Sequence, residues 1–257
     1  MKEGLASRRS LVHSGSVRSV DVNANQKQRA RLESFLADKL PIARPLKVLE
    51  AGCGATSNVT FPDESIVIGI DQSEKQLRRN THLQHKILGD LQTYEFRPES
   101  FDVVVCWNVL EHVSDVPAVL SRISSSLAPG GLVIVASPNL WSIKGLVTRL
   151  TPHSFHVWFY RRILNRPSAG IGDVAPFPTV LSRAMSPGEL RSFAADKGYR
   201  VLWLETYEGN QQALVREKYP PVSLAFRAIG LLSSTVTSGR VNLAHSDYIV
   251  VLQRPLA

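Results

Sequence analysis

Four short apolar runs constrain this chain more than any other feature: KVLEA at 47–51, SIVIGID at 65–71, FDVVVC at 101–106 and GLVIVAS at 131–137. None of them alternates apolar with polar residues, as a strand with one wet face does. Helix-like stretches separate them, SEKQLRRNTHL at 73–83 and PAVLSRISSSL at 117–127. The second places Val119, Leu120, Ile123 and Leu127 on one face. Strands apolar on both sides, alternating with amphipathic helices, predict a parallel sheet covered on both faces, an α/β core.

The rest of the chain is arranged around that core. Residues 1 to about 22 are Ser- and Arg-rich without periodicity and read as a mobile or ligand-ordered arm. The spacing of Leu32, Phe35, Leu36 and Leu40 predicts an amphipathic helix over 25–40, stopped before Pro41. After Asn139 an aromatic, basic, Pro- and Gly-punctuated stretch reads as an insertion. A helix start follows at Ser186-Pro187-Gly188-Glu189, then strands at 199–208 and 246–254. The roughly forty residues between those strands far exceed a hairpin connection and read as a second insertion. One domain over 1–257 is expected: arm and helix (1–45), ligand-binding core (46–139), cover insertion (140–185), and remaining strands (186–257) with an insertion at about 208–244.

Composition narrows the class. The chain has 257 residues, 44% hydrophobic and 20% charged, and no apolar run approaches the roughly 20 residues a bilayer span needs. The N-terminus lacks the apolar core of a secretory signal, so a cytoplasmic location is expected, with membrane-peripheral contact as the alternative. Two cysteines make neither a disulfide scaffold nor a four-cysteine zinc site. The net charge of +8 is uneven: 1–46 hold 9 Lys/Arg against 4 Asp/Glu, 47–138 hold 7 against 11, and 139–257 hold 14 against 7. An acidic middle suits a cationic or polyhydroxyl ligand, and the basic ends suit an anionic one.

The glycine turn after the first strand is Gly52-Cys53-Gly54-Ala55-Thr56-Ser57. It lacks the third glycine of a dinucleotide fingerprint and the Gly-Lys-Ser/Thr of a P-loop. Three acids accompany it: Glu50 two residues before Gly52, Asp71 ending the second strand, and Asp90 before FDVVVC. A carboxylate at the end of the second strand can accept both hydrogen bonds of a ribose diol, and Asp90 is placed for an exocyclic amine. So much negative charge disfavours a phosphate and favours a sulfonium ligand bearing an ammonium group.

Together VLEAGCG, IGID, GDL, FDVVVCWNVLEHV and LAPGGLVIVASPN resemble the class I S-adenosylmethionine-dependent methyltransferases, most closely the small-molecule branch with the ubiquinone-type O-methyltransferases. The resemblance covers about 46–139. It implies a Rossmann-like, seven-strand, mostly parallel sheet with helices on both faces, an N-terminal helical cover and insertions in the C-terminal half. It also implies S-adenosylmethionine as cofactor. Glu50, Gly52, Cys53 and Gly54 would surround its methionine part, and Asp71 would take the ribose, with Gln72 beside the adenine. Asp90 and Leu91 would meet the adenine, while Trp107 and Asn108 would line the region near the methyl group. Some ubiquinone-type relatives carry a further acid before the Leu-Glu-His run. Here that position is Asn108, leaving Glu111 and His112, too few ligands for a metal.

Methyl transfer is an in-line displacement, and a base is needed only where the acceptor arrives protonated. The candidates are His112, His153 and His156. The resemblance places a substrate cover after SPN, where Trp158, Tyr160, Arg161 and Arg166 would line the pocket and hold an anionic group. Cys106 lacks the preceding proline of a pyrimidine-attacking cysteine and reads as core. No Asn/Asp-Pro-Pro-aromatic run follows the strand, and no nucleic-acid module appears. WSIKGLVTRL and VSLAFRAIGLL mix apolar and basic residues without acids, as interfacial helices do. The expected function is methylation of a carboxylate or hydroxyl oxygen on a small, acidic, partly apolar acceptor. N- or C-methylation, a lipid- or quinone-type membrane-associated methyltransferase and a catalytically silent cofactor-binding partner are the alternatives.

Overall fold

The structure is a computed structural model that describes residues 24–40, 44–172, 174–239 and 241–256. The expected arm over residues 1–22 lies outside them, as does Pro41, while the helix expected over 25–40 ends at Ala37. Seven strands form one sheet: β1 (Lys47–Ala51), β2 (Ile66–Asp71), β3 (His85–Leu88), β4 (Phe101–Trp107), β5 (Leu127–Pro138), β6 (Arg200–Tyr207) and β7 (Asp247–Gln253). Their order is β3-β2-β1-β4-β5-β7-β6, and β7 alone runs antiparallel to its neighbours. This is the Rossmann-like methyltransferase arrangement. Strand β3 has only four residues, HKIL, three of them exposed or charged, too few to show a pattern in sequence.

The pleat sends successive side chains to opposite faces. Val48, Val103, Val105, Ile134 and Val251 meet Leu32 and Leu36 of α1 (Ala24–Ala37) on one face. Leu49, Val104, Cys106, Val133 and Val250 meet Val119, Leu120 and Ile123 of α3 (Val116–Ser126) on the other. Helix α3 starts where Asp115 caps the Ala118 amide at 2.9 Å and proline occupies the first turn. Helix α2 (Glu74–Arg79) is shorter than the sequence pattern. It stops at the fully buried Asn80, whose side-chain amide sits 3.5 Å from the carbonyls of Cys53 and Gly54. Strand β5 starts at Leu127, ahead of Pro129-Gly130-Gly131, because Gly130 takes φ +75° and a register shift between Phe101 and Val103 absorbs the extra residues.

Two elaborations leave from the carboxyl end of β5 and β6. The first holds α4 (Ile143–Leu150) and α5 (His153–Arg162), with α6 (Pro187–Asp196) leading into β6. The second holds α7 (Asn210–Lys218) and α8 (Pro220–Val236) before β7. They touch: the Ile143 amide donates to Leu243 O at 2.9 Å, and Lys218 Nζ donates to Ile163 O at 2.9 Å. No helix among the described residues is long and apolar enough to cross a membrane.

Candidate cofactor and acceptor site

The strand order reverses between β1 and β4, the place where open α/β sheets bind ligands. A narrow cavity opens there, lined by Glu50, Gly52, Cys53, Asn58, Val105 and Trp107. The Gly52 and Cys53 amides donate to Ile70 O at 2.8 and 3.1 Å, and the Gly54 amide donates to Asp71 Oδ2 at 2.9 Å. The two glycines serve different ends. At Gly52, φ is +70° and a Cβ would sit 2.5 Å from Val109, so the glycine permits close packing. At Gly54, φ is +56° and a Cβ would meet nothing within 4 Å, which leaves room for a ligand against the backbone.

Glu50 is buried. Its Oε2 accepts from the Ser57 hydroxyl at 2.7 Å, while Oε1 is buried with no partner. Burial pushes its carboxyl up to about 7, against the Ser57 bond, which favours the ionised form. The Cys53 thiol is pushed up to about 12 by burial and by the nearby Asp71 and Glu50 charges, so Cys53 contributes its backbone rather than a thiolate. Asp71 Oδ1 accepts from the Ser73 amide at 2.8 Å, and the Gly89 amide donates to Asp71 O at 3.1 Å, which brings the Asp90 loop alongside. Asp90 accepts from the Gln92 amide at 2.8 Å, Leu91 is buried in the core, and Gln72 is exposed.

Trp107 is one wall of the cavity, and the Arg29 guanidinium of α1 lies 5.7 Å from its ring centre. Arg29 Nε is buried and has no partner. Asn108 follows, exposed, with φ +54° and its amide on Ala136 O at 2.8 Å. His112 ends a 3-10 turn at Leu110–His112, and its Nδ1 lies 2.7 Å from Pro178 O. A carbonyl can only accept, so Nδ1 carries a hydrogen, and the neutral form of the ring keeps its lone pair on Nε2. Glu111 is buried and accepts from the Ser137 hydroxyl at 2.8 Å. Burial raises its carboxyl, opposed by His112, by hydrogen bonds to the carboxylate and by Lys144. Its backbone oxygen takes the Val180 amide at 2.6 Å, which fixes the 177–180 segment beside His112.

On α5, His153 is exposed. His156 Nε2 faces the Thr151 hydroxyl at 3.1 Å and the Thr151 carbonyl at 3.3 Å. Trp158 is exposed against Phe155, and Arg161 Nε donates to Ala169 O at 2.9 Å. Tyr160 is half-buried, with Arg166 5.8 Å from its ring. Burial raises its phenol, opposed by Lys144, by a hydrogen bond to Gln211 and by Arg166. Lys144 in turn pairs with Asp247 at 3.3 Å. Tyr160, Arg166, Lys144 and Asp247 therefore gather at the carboxyl end of β5, while Trp158 and Arg161 make contacts elsewhere. Sequence reasoning missed Arg29, Asn80, Lys144 and Asp247, for which only the acid-free run around Lys144 offered a signal. Among the described residues no cluster of three or more His, Cys, Asp or Glu converges as metal ligands.

The residues fit S-adenosylmethionine. A partnerless buried carboxylate oxygen on Glu50, an open cradle at Gly54 and acids at adjacent strand ends suit a ligand with an ammonium, a sulfonium and a diol. A family model described as a methyltransferase domain matches residues 24–170. The sterol 24-C-methyltransferase of Candida albicans is 33% identical over 115 residues, 40% of this chain and 31% of that protein. A ubiquinone biosynthesis O-methyltransferase of Psychrobacter arcticus is 30% identical over 171 residues, 60% of this chain and 58% of that protein. The chain thus spans about a third of the first relative and somewhat over half of the second. Two solved structures share the fold: an S-adenosylmethionine-dependent methyltransferase from Archaeoglobus fulgidus (TM-score 0.51, 16% identity, 90% of this chain and 94% of that one), and magnesium protoporphyrin IX methyltransferase from Synechocystis PCC 6803 with bound SAH (TM-score 0.50, 15% identity, 90% and 83%). The chain belongs to the methyltransferase-domain family, as a class I S-adenosylmethionine-dependent methyltransferase.

Proposed function

We propose that the protein methylates a carboxylate or hydroxyl oxygen on a small, acidic, partly apolar acceptor. One observation carries the reading: Glu50 and Trp107 line one cavity, Arg29 packs on Trp107, and Glu50 and Arg29 each hold a buried atom without a partner. An anion and a cation flanking one aromatic ring complement an amino-acid zwitterion, the ammonium meeting Glu50 and the carboxylate meeting Arg29. Asp71 takes the ribose hydroxyls, with Gln72 beside the adenine, and Asp90 and Leu91 meet the ring. When bound, S-adenosylmethionine supplies an electrophilic methyl group.

The acceptor side is basic. Lys144, Arg166 and the half-buried Tyr160 phenol hold its anionic group. For a hydroxyl acceptor, His112 Nε2 takes the proton as the oxygen attacks, with Nδ1 held on Pro178 O. A carboxylate acceptor needs no base. The assignment falls on His112 because its ring is held on Pro178 O in the turn that follows β4, whereas His153 starts α5 and His156 is engaged with Thr151.

The test is calorimetric titration with S-adenosylmethionine and its demethylated product, followed by a turnover screen over carboxylic, phenolic and amine acceptors with the methylated atom located by NMR. Binding that weakens in Arg29→Leu, together with turnover on oxygen acceptors, is the expected result. Absence of binding overturns the cofactor site, and methyl placed on carbon or nitrogen overturns the acceptor class.

A further inference from the structure

Helix α8 presents a broad apolar arc to solvent. Its outward arc holds Leu224 (72% exposed), Leu231 (70%), Leu232 (65%) and Val236 (83%), spaced so that they share one side, with Ala225 and Ala228 between them. Its inward side carries Ser223, a hydrogen-bond partner of Arg216, and Ser233, whose hydroxyl accepts from the Leu243 amide at 3.1 Å. Val222 and Phe226 are half-buried on that side too, but four large apolar side chains gathered on one exposed arc exceed the single exposed leucines that are ordinary, and such an arc needs a cover.

Charge identifies the cover. Residues 218–246 contain no acid and residues 139–172 contain none, while the two stretches together hold eight Lys and Arg. Arg227 is exposed at the edge of the apolar arc. Arg149 and Arg162 are exposed on α4 and α5, where Leu150 (81%) and Trp158 (50%) also face solvent. The two insertions touch through Ile143 and Leu243 and through Lys218 and Ile163, so this basic, apolar character belongs to one end of the molecule. A second copy of the chain would set these cations against themselves. A surface that accepts leucine side chains and attracts arginine is the interface of an anionic bilayer.

We infer that α8, with its α4–α5 neighbours, is a peripheral docking surface for membranes containing anionic phospholipid. The helix lies in the headgroup layer, with Leu224, Leu231, Leu232 and Val236 in the acyl boundary and Arg227 among the phosphates. The docking does not depend on the methyl-transfer reading.

Co-sedimentation of the full chain with vesicles of phosphatidylcholine alone, or of phosphatidylcholine and phosphatidylglycerol in equal parts, tests it. Binding to the anionic vesicles alone is expected, weakened by salt and lowered about tenfold or more in the double variant Leu231→Gln, Leu232→Gln. These side chains are exposed, so circular dichroism should show the variant folded. Both native cysteines are buried, so a polarity-sensitive fluorophore on Leu224→Cys reports from α8 alone, and its emission should shift to the blue with anionic vesicles. Unchanged emission, equal binding by the double variant, or a dimer in solution that the double variant dissolves without any vesicle binding overturns the inference.

Discussion

The Gly54 amide donates to Asp71 Oδ2 at 2.9 Å, so the loop after β1 hangs from the carboxylate that ends β2. Asp71 therefore shapes the cradle, beside the ribose contact proposed for it.

Asp71→Ala should lose both contributions. Its charge-assisted bonds are worth about 1.5–3 kcal/mol each, so affinity for S-adenosylmethionine should fall about 10- to 100-fold in a calorimetric titration. Undiminished affinity would remove Asp71 from the site.

Glu50 makes the site pH-dependent. Its carboxyl lies at about 7 in the fold against an ordinary value of 4.5, so its contribution to stability is complete below 4.5 and is lost as pH rises through about 7. The ligand-free protein should melt lower on the alkaline side, and Glu50→Gln should flatten that trend. A cationic ligand selects the ionised form, so affinity for S-adenosylmethionine should rise about tenfold between roughly pH 6 and 8, with proton release visible when titrations in buffers of different ionisation enthalpy are compared.

Alanine at the two glycines should separate folding from binding. Gly52→Ala meets Val109 at 2.5 Å in a left-handed conformation and should cost about 2–4 kcal/mol of stability, read by denaturant melts. Gly54→Ala meets no neighbour, so it should cost only the backbone strain of about 1–2 kcal/mol while filling the cradle and weakening ligand binding. Equal losses of stability would contradict the division of roles.

His112→Ala should slow turnover about 100- to 10,000-fold on hydroxyl acceptors and leave carboxylate acceptors nearly untouched. The split between the two acceptor types is the readout, because a purely structural loss would slow both alike.

The covered parallel sheet was legible because strands buried on both faces must be continuously apolar, as VVVC and LVIVA are. The glycine turn and its acids were legible because Glu50, Gly52, Gly54 and Asp71 lie within short reach of two adjacent strand ends, where sequence spacing becomes spatial spacing. Strand β3 escaped because four residues carry no period. The helix read at 73–83 ends at Arg79 because Asn80 is drawn into the core beneath the Cys53–Gly54 turn.

Local chemistry thus determined by itself the α/β core, the glycine turn and the line of acids at the strand ends. Contacts between residues far apart in the chain decided the rest. Arg29 meets Trp107 across 78 positions, Pro178 sets the tautomer of His112, and Lys144 finds Asp247 only because β7 runs back beside β5. Which side of α8 faces water is likewise a matter of packing: apolar residues lie on both sides of the helix, and only the fold leaves Leu224, Leu231, Leu232 and Val236 outside while Ser223 and Ser233 find their partners within.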